Sequence, residues 1–108
     1  MKILIELEKI VLPIIYSIIQ NGMIDFYEEL FSLICTLTSK QISDNMWSIL
    51  FLIYDIFQND AADYFTELMP VLHNYVMVDT GAFLADGQRV EVIIKMIKQV
   101  NYKLKRLC

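Results

Sequence analysis

The sequence predicts an all-α chain built from stacked helical hairpins, and three observations carry that reading. Hydrophobic residues make up 56% of the 108, with only three Gly and two Pro. That is too apolar for a disordered segment and too poor in turn residues for an all-β sandwich. Apolar residues recur at three-to-four spacing, as in Phe26, Leu30, Ile34 and Leu37, with Glu28, Glu29 and Ser32 between them. The chain also repeats itself at an offset of 38 residues. A helix that is apolar nearly all round needs neighbours on several sides. In so short a chain, such helices predict open apolar faces at both ends.

About five helices are expected. The first runs over roughly Ile3–Gln20 and stops at Asn21-Gly22, where glycine suits the left-handed position just past a helix end. The second spans about Ile24–Thr38. After the polar stretch "SKQIS", Ser43 or Asp44 can accept from the free amides that open a third helix, "MWSILFLIYDIFQN". A fourth begins at Asp60, with Asp63 three residues on as a capping-box-like pair, and reaches about Val78. Pro70 lies inside it, which predicts a kink near residues 66–70. "DTGAFLADG" reads as a loop, and Asp86 as the cap of a fifth helix over roughly Gln88–Lys105.

At the 38-residue offset, residues 11–38 fall on 49–76 without a gap, with nine identities in 28 positions. Leu12 meets Leu50, Ile15 meets Ile53, Tyr16 meets Tyr54, Asp25 meets Asp63, and Glu29 meets Glu67. The unit is helix, tight polar turn, helix. "IIKMIKQ" at 93–99 follows "LIYDIFQ" at 52–58 by 41 residues and opens a third unit. Hairpin repeats of about this length form the HEAT and armadillo class, whereas tetratricopeptide units are shorter. The expected organisation is therefore an α-solenoid fragment of HEAT-like repeats. One hairpin lies over 1–40, a second over 41–80, and the first helix of an incomplete third over 81–108.

Charge is unevenly placed. From Ile10 to Gln88, Lys40 is the only base against ten acids, while Arg89–Cys108 carries six bases and one acid. The net charge of -4 argues against nucleic-acid binding by the main body and suits basic protein partners. The basic end reads as a solvated helix face, with a junction as the alternative. Apolar runs are too short to span a bilayer, and Glu6 and Glu8 interrupt any signal core. Cys35 and Cys108 lie far apart without a CxxC, which fits a reduced, intracellular chain.

No catalytic, cofactor-binding or metal-binding residue is assigned. His73, the only histidine, has no orienting carboxylate close by, since Asp79 lies past the helix end. It aligns with Cys35 and is expected to be a half-buried packing position beside Thr66 and Met69. One His and two distant Cys do not make a metal set. Asp25, Glu28 and Glu29 are expected to form a solvated face at a helix start, with a basic-partner surface as the alternative. Tyr16, Trp47, Tyr54, Phe57, Tyr64 and Phe65 are expected to pack between repeats rather than form a binding strip. No Gly-rich phosphate loop, GxSxG or Walker pattern is present, and no enzyme activity is expected.

Long runs within residues 10–98 resemble a known family. They include Asp63-Tyr64-Phe65-Thr66, Leu72-His73-Asn74-Tyr75-Val76 and, one repeat earlier, "DFYEELFSLICTLTSKQIS" at 25–43. The sequence is similar to the C-terminal half of importin-β-type nuclear transport receptors, or karyopherins, in the branch of importins seven and eight. The resemblance implies a HEAT-repeat superhelix that carries basic cargo proteins from cytoplasm to nucleus under control of the GTPase Ran. No cofactor, no nucleic-acid partner and no membrane insertion are expected. The family's main Ran-binding repeats lie in its N-terminal part, so no Ran-contact residue is carried onto this sequence. "QVNYKLKRLC" departs from the family pattern, and a fragment is expected. The alternative is a truncated solenoid with no transport activity of its own.

Overall fold

The computed structural model describes residues 2–59 and 64–107. These form six α-helices: α1 (Lys2–Gln20), α2 (Tyr27–Leu37), α3 (Asp44–Asn59), α4 (Phe65–Met77), α5 (Thr80–Leu84) and α6 (Gly87–Leu107). A 3₁₀ turn, Ile24–Phe26, leads into α2, and no strand occurs among the described residues. The chain is an all-α, HEAT-like solenoid segment. α2 lies against α4 and α3 against α6, in a slab of 45 × 32 × 18 Å. The thin dimension is about two helix diameters, with α2 and α4 in one layer and α1, α3 and α6 in the other.

Local sequence sets the ends of these helices. Gly22 has φ +59°, and the turn around it closes α1 as a Schellman motif. The Met23 amide donates to the Ile18 carbonyl at 3.0 Å and the Gly22 amide to Ile19 at 3.2 Å. Ser43 caps α3, its Oγ accepting from the Met46 amide at 3.2 Å. Asp86 caps α6, its carboxylate accepting from the Gln88 amide at 2.9 Å. The stretch expected to be a loop instead contains α5. The Asp79 carboxylate accepts from the Ala82 amide at 3.1 Å, and burial of Phe83 holds the turn down. This raises the helix number from the five expected to six. The expected Asp60–Asp63 pair lies outside the described residues. α4 is assigned as one helix through Pro70, as α1 is through Pro13.

Burial follows the repeat. Ile15 and Ile53, Leu30 and Leu68, and Ile34 and Leu72 are all core residues at the 38-residue offset. From α3 to α6 the buried pattern repeats at 43. Ile49, Leu50 and Ile53 correspond to Val92, Ile93 and Met96, all buried. The identity offset of 41 instead marks lateral neighbours: Gln58 and Gln99 exchange hydrogen bonds at 3.1 and 2.8 Å.

One polar cluster sits inside this core. Glu8 is only 8% exposed and accepts a short hydrogen bond from the Ser43 hydroxyl. The same hydroxyl oxygen receives the Met46 amide, so the carboxylate sits at the positive end of α3. The Tyr75 hydroxyl, on α4, donates to the Met46 carbonyl at 2.6 Å. Three helices thus meet at the first turn of α3. Burial, and secondarily the Glu8 carboxylate, push the Tyr75 hydroxyl well above the ordinary phenol range.

Nothing lies within 4 Å of a Cβ placed on Gly22, so Gly22→Ala introduces backbone strain without a clash. It should destabilise the chain by about 1 kcal/mol in urea titration, and no loss would remove the Schellman account. Tyr75 ionises more readily unfolded, near its usual 10.0, than folded. Its contribution is therefore complete below that pH and is lost as pH rises above it. Chemical denaturation on either side of that value should show stability falling with rising pH, and Tyr75→Phe should flatten the fall.

Candidate protein-binding surface

α2 and α4 lie side by side and leave a groove between them. Its walls are Glu28, Ser32, Cys35, Thr36 and Ser39 on the α2 side, and Glu67 and Pro70 on α4. The two helices are tied below it. The Asn74 side-chain amide donates to the Cys35 carbonyl at 3.0 Å and to Thr38 Oγ at 3.2 Å, closing the C-terminal end of α2. At the other end Tyr64 meets Tyr27 edge-on, with ring centres 5.8 Å apart.

Two of the groove's hydroxyls are bonded to backbone carbonyls. Thr36 Oγ donates to the Ser32 carbonyl and Ser39 Oγ to Thr36, which leaves the carboxylates as its charged groups. Asp25, Glu28 and Glu29 are exposed at the start of α2, and Glu67 is half-buried across the groove. None of these four takes part in an ion pair among the described residues. This arrangement suits the attraction of a positively charged segment. No three His, Cys, Asp or Glu side chains gather to hold a metal among the described residues. No described helix is long and apolar enough to cross a membrane.

His73 is exposed on α4, contrary to the expected packing role. Its repeat partner Cys35 is half-buried because α4 covers that side of α2, where Asn74 bonds the Cys35 carbonyl. The equivalent flank of α4 has no such cover among the described residues. The aromatic set divides. Trp47 and Phe57 are buried, while Tyr16, Tyr54, Tyr64 and Phe65 are partly buried between helices.

Trp47 packs against Tyr75 at 5.4 Å and carries the Arg89 guanidinium 4.1 Å from its ring centre. Arg89 also donates to the Ala82 carbonyl at 2.6 Å. The first base of the C-terminal stretch is therefore a packing residue joining α3, α5 and α6. Lys95, by contrast, is a solvated partner of Glu91 at 2.9 Å. Sequence reading passed over Glu8, Asn74 and Arg89. Glu8 carried a signal: 38 residues on lies Met46, a fully buried position.

No family model and no solved structure matches the chain. Curated proteins do. Importin-8 of Mus musculus is 46% identical over 99 residues, covering 92% of this chain and 10% of that protein. Importin-8 of Homo sapiens is 42% identical over 95 residues, covering 88% and 9%, and that of Danio rerio 49% over 98, covering 88% and 10%. By sequence the chain belongs to the importin-β-type receptors, as a segment spanning about a tenth of the length of the curated relatives it matches.

Proposed function

We propose that the chain is a protein-binding, non-enzymatic HEAT-repeat segment of a nuclear import receptor, taking part in moving cargo from cytoplasm to nucleus. The observation that carries this reading is the sequence match to importin-8 across about nine-tenths of the chain. Residues 1–40 and 41–80 act as two hairpins and 81–108 opens a third. The contact surface is the α2–α4 groove, and the cargo it attracts is a basic segment drawn to Asp25, Glu28, Glu29 and Glu67. Attraction at such an exposed surface is long-ranged at low salt and screened over about 8 Å at physiological ionic strength. Ran control belongs to sequence outside this segment.

The test is a pull-down with the 108-residue chain against a histone-type basic protein and against Ran loaded with GTP. Binding of the basic protein is expected at low salt, weakening as salt rises, with no direct capture of Ran. Replacing Glu28→Lys and Glu67→Lys together should cut binding by roughly tenfold or more, with helicity retained by circular dichroism. Absence of basic-protein binding by the folded chain would support an inert solenoid segment instead.

A further inference from the structure

The joint between α3 and α6 is part apolar and part polar. α6 reaches the core through one narrow stripe, Val92, Ile93 and Met96. Its other links to α3 are polar. Gln99 and Gln58 exchange hydrogen bonds at 3.1 and 2.8 Å, and both side chains are exposed. Water can replace that pair on separation, so opening it costs little. Towards the start of α6 the Arg89 guanidinium lies over the Trp47 ring, 4.1 Å from its centre.

Arg89 is incompletely satisfied in that position. Its side chain is only 19% exposed. Nη1 donates to the Ala82 carbonyl at 2.6 Å, but Nε is buried with no hydrogen-bond partner among the described residues. The Asp86 carboxylate stands 3.8 Å from it, beyond hydrogen-bond reach. Arg89 also lies in the first turn of α6, the end of a helix where the dipole disfavours a positive charge. Separation of α6 from α3 returns this cation to water. The main return for keeping it in place is the face of Trp47, a ring that is 4% exposed.

The chain on either side of the α5–α6 connection is held unequally. α5 is tied back to α4, since the Thr80 hydroxyl donates to the Val76 carbonyl at 2.8 Å and Phe83 is buried. Ala85 and Gly87, between α5 and the body of α6, are exposed, and nothing lies within 4 Å of a Cβ placed on Gly87. Backbone rotation at these two residues displaces no buried side chain of their own. α6 can therefore move while α5 stays.

We infer that α6 is a hinged flap: it swings off α3 as a unit about Ala85–Gly87, with Arg89 on Trp47 as its latch, while α1 to α4 stay folded. Such a local opening has a lower free energy than global unfolding. It bares Trp47, the chain's only tryptophan, and the flank of α3 that carries it. The angle between α3 and α6 is thus the adjustable one. None of the groove acids takes part, so the inference is independent of the cargo reading.

Hydrogen exchange read by mass spectrometry, with acrylamide quenching of Trp47 fluorescence, tests this on the 108-residue chain. Amides of residues 91–100 should exchange together, and faster than those of 30–37 and 49–57. Arg89→Ala should speed exchange across 91–100 by roughly a further tenfold and increase quenching of Trp47, with 30–37 and 49–57 unchanged. Arg89→Lys, which keeps the charge but lacks the flat stacking face, should fall between. Gln99→Ala, at an exposed position, takes the place of Arg89→Ala should circular dichroism show that variant unfolded, and should speed 91–100 alone. Exchange of 91–100 at the rate of 49–57 would mean one cooperative unit and overturns the inference. So does fast exchange confined to the C-terminal part of α6 with 91–96 as protected as α3, which is end fraying. An Arg89→Ala variant that speeds all the helices alike overturns it as well.

Discussion

The rest of the structure depends on covering α3. This helix buries Met46, Trp47, Ile49, Leu50, Ile53, Ile56 and Phe57, positions that span about half of its circumference, with Phe51, Leu52 and Tyr54 half-buried beside them. No single neighbour can bury so wide an apolar surface, because one helix covers only a stripe of another. α3 therefore needs contact from several directions. α4 supplies Tyr75, α6 supplies Arg89 and Gln99, and α1 reaches its cap through Glu8. Each covering helix is itself apolar on more than one side. The requirement is passed outward to α1 and α6, whose outer isoleucines no described element covers. The slab shape and the exposed isoleucines at both ends come from this one constraint.

The buried polar cluster at the start of α3 fixes how the layers meet. Hydrophobic packing alone tolerates sliding of one helix along another, since an aliphatic ridge fits several grooves about equally well. A buried carboxylate does not slide: leaving it without a partner costs several kcal/mol. Glu8 can be satisfied only where Ser43 and the open amides of α3 stand. Tyr75 adds a second constraint from the opposite layer by donating to the Met46 carbonyl. One turn of α3 thus sets the positions of α1 and α4 together. Asn74 plays the equivalent part between α2 and α4, where its side-chain amide donates to the Cys35 carbonyl and to Thr38 Oγ at the end of α2.

The fold was legible because its cause is periodic. Three-to-four spacing gave the helices, and the 38-residue repeat gave their order before any contact was known. Gly22, Ser43 and Asp86 were readable as end signals because each acts on backbone groups a few residues away. α5 was missed because a five-residue helix is shorter than two turns and leaves no periodic signal. The exposure of His73 was missed for a different reason. Repeat equivalence predicts a like environment only when both positions have the same neighbours, and Cys35 has α4 beside it while no described helix of the same layer lies beside His73. Glu8, Asn74 and Arg89 make contacts across 35, 39 and 7 residues. Spacing within one helix carries no information about such partners.

The acids beside the α2–α4 groove have two candidate duties that must be separated. Glu28 and Glu29 lie in the first turn of α2, and Glu67 in the first turn of α4. There a negative charge is favoured by the helix dipole by about 0.3–1 kcal/mol even with no partner. The recurrence of Glu29 as Glu67 is explained by that local term alone, so repetition is not an argument for binding. What points outward is their lack of pairing: Lys40 is the sole base between Ile10 and Gln88, and none of these carboxylates is ion-paired within the described residues. The two duties differ in their response to salt and position. The dipole term acts within one turn of the backbone and appears as stability of the isolated chain. Attraction for a basic partner appears as affinity and depends on acids from both helices at once. Reversing Glu28 alone perturbs one helix start and half of the groove. Reversing Glu28 and Glu67 together reverses the charge on both walls of the groove at once.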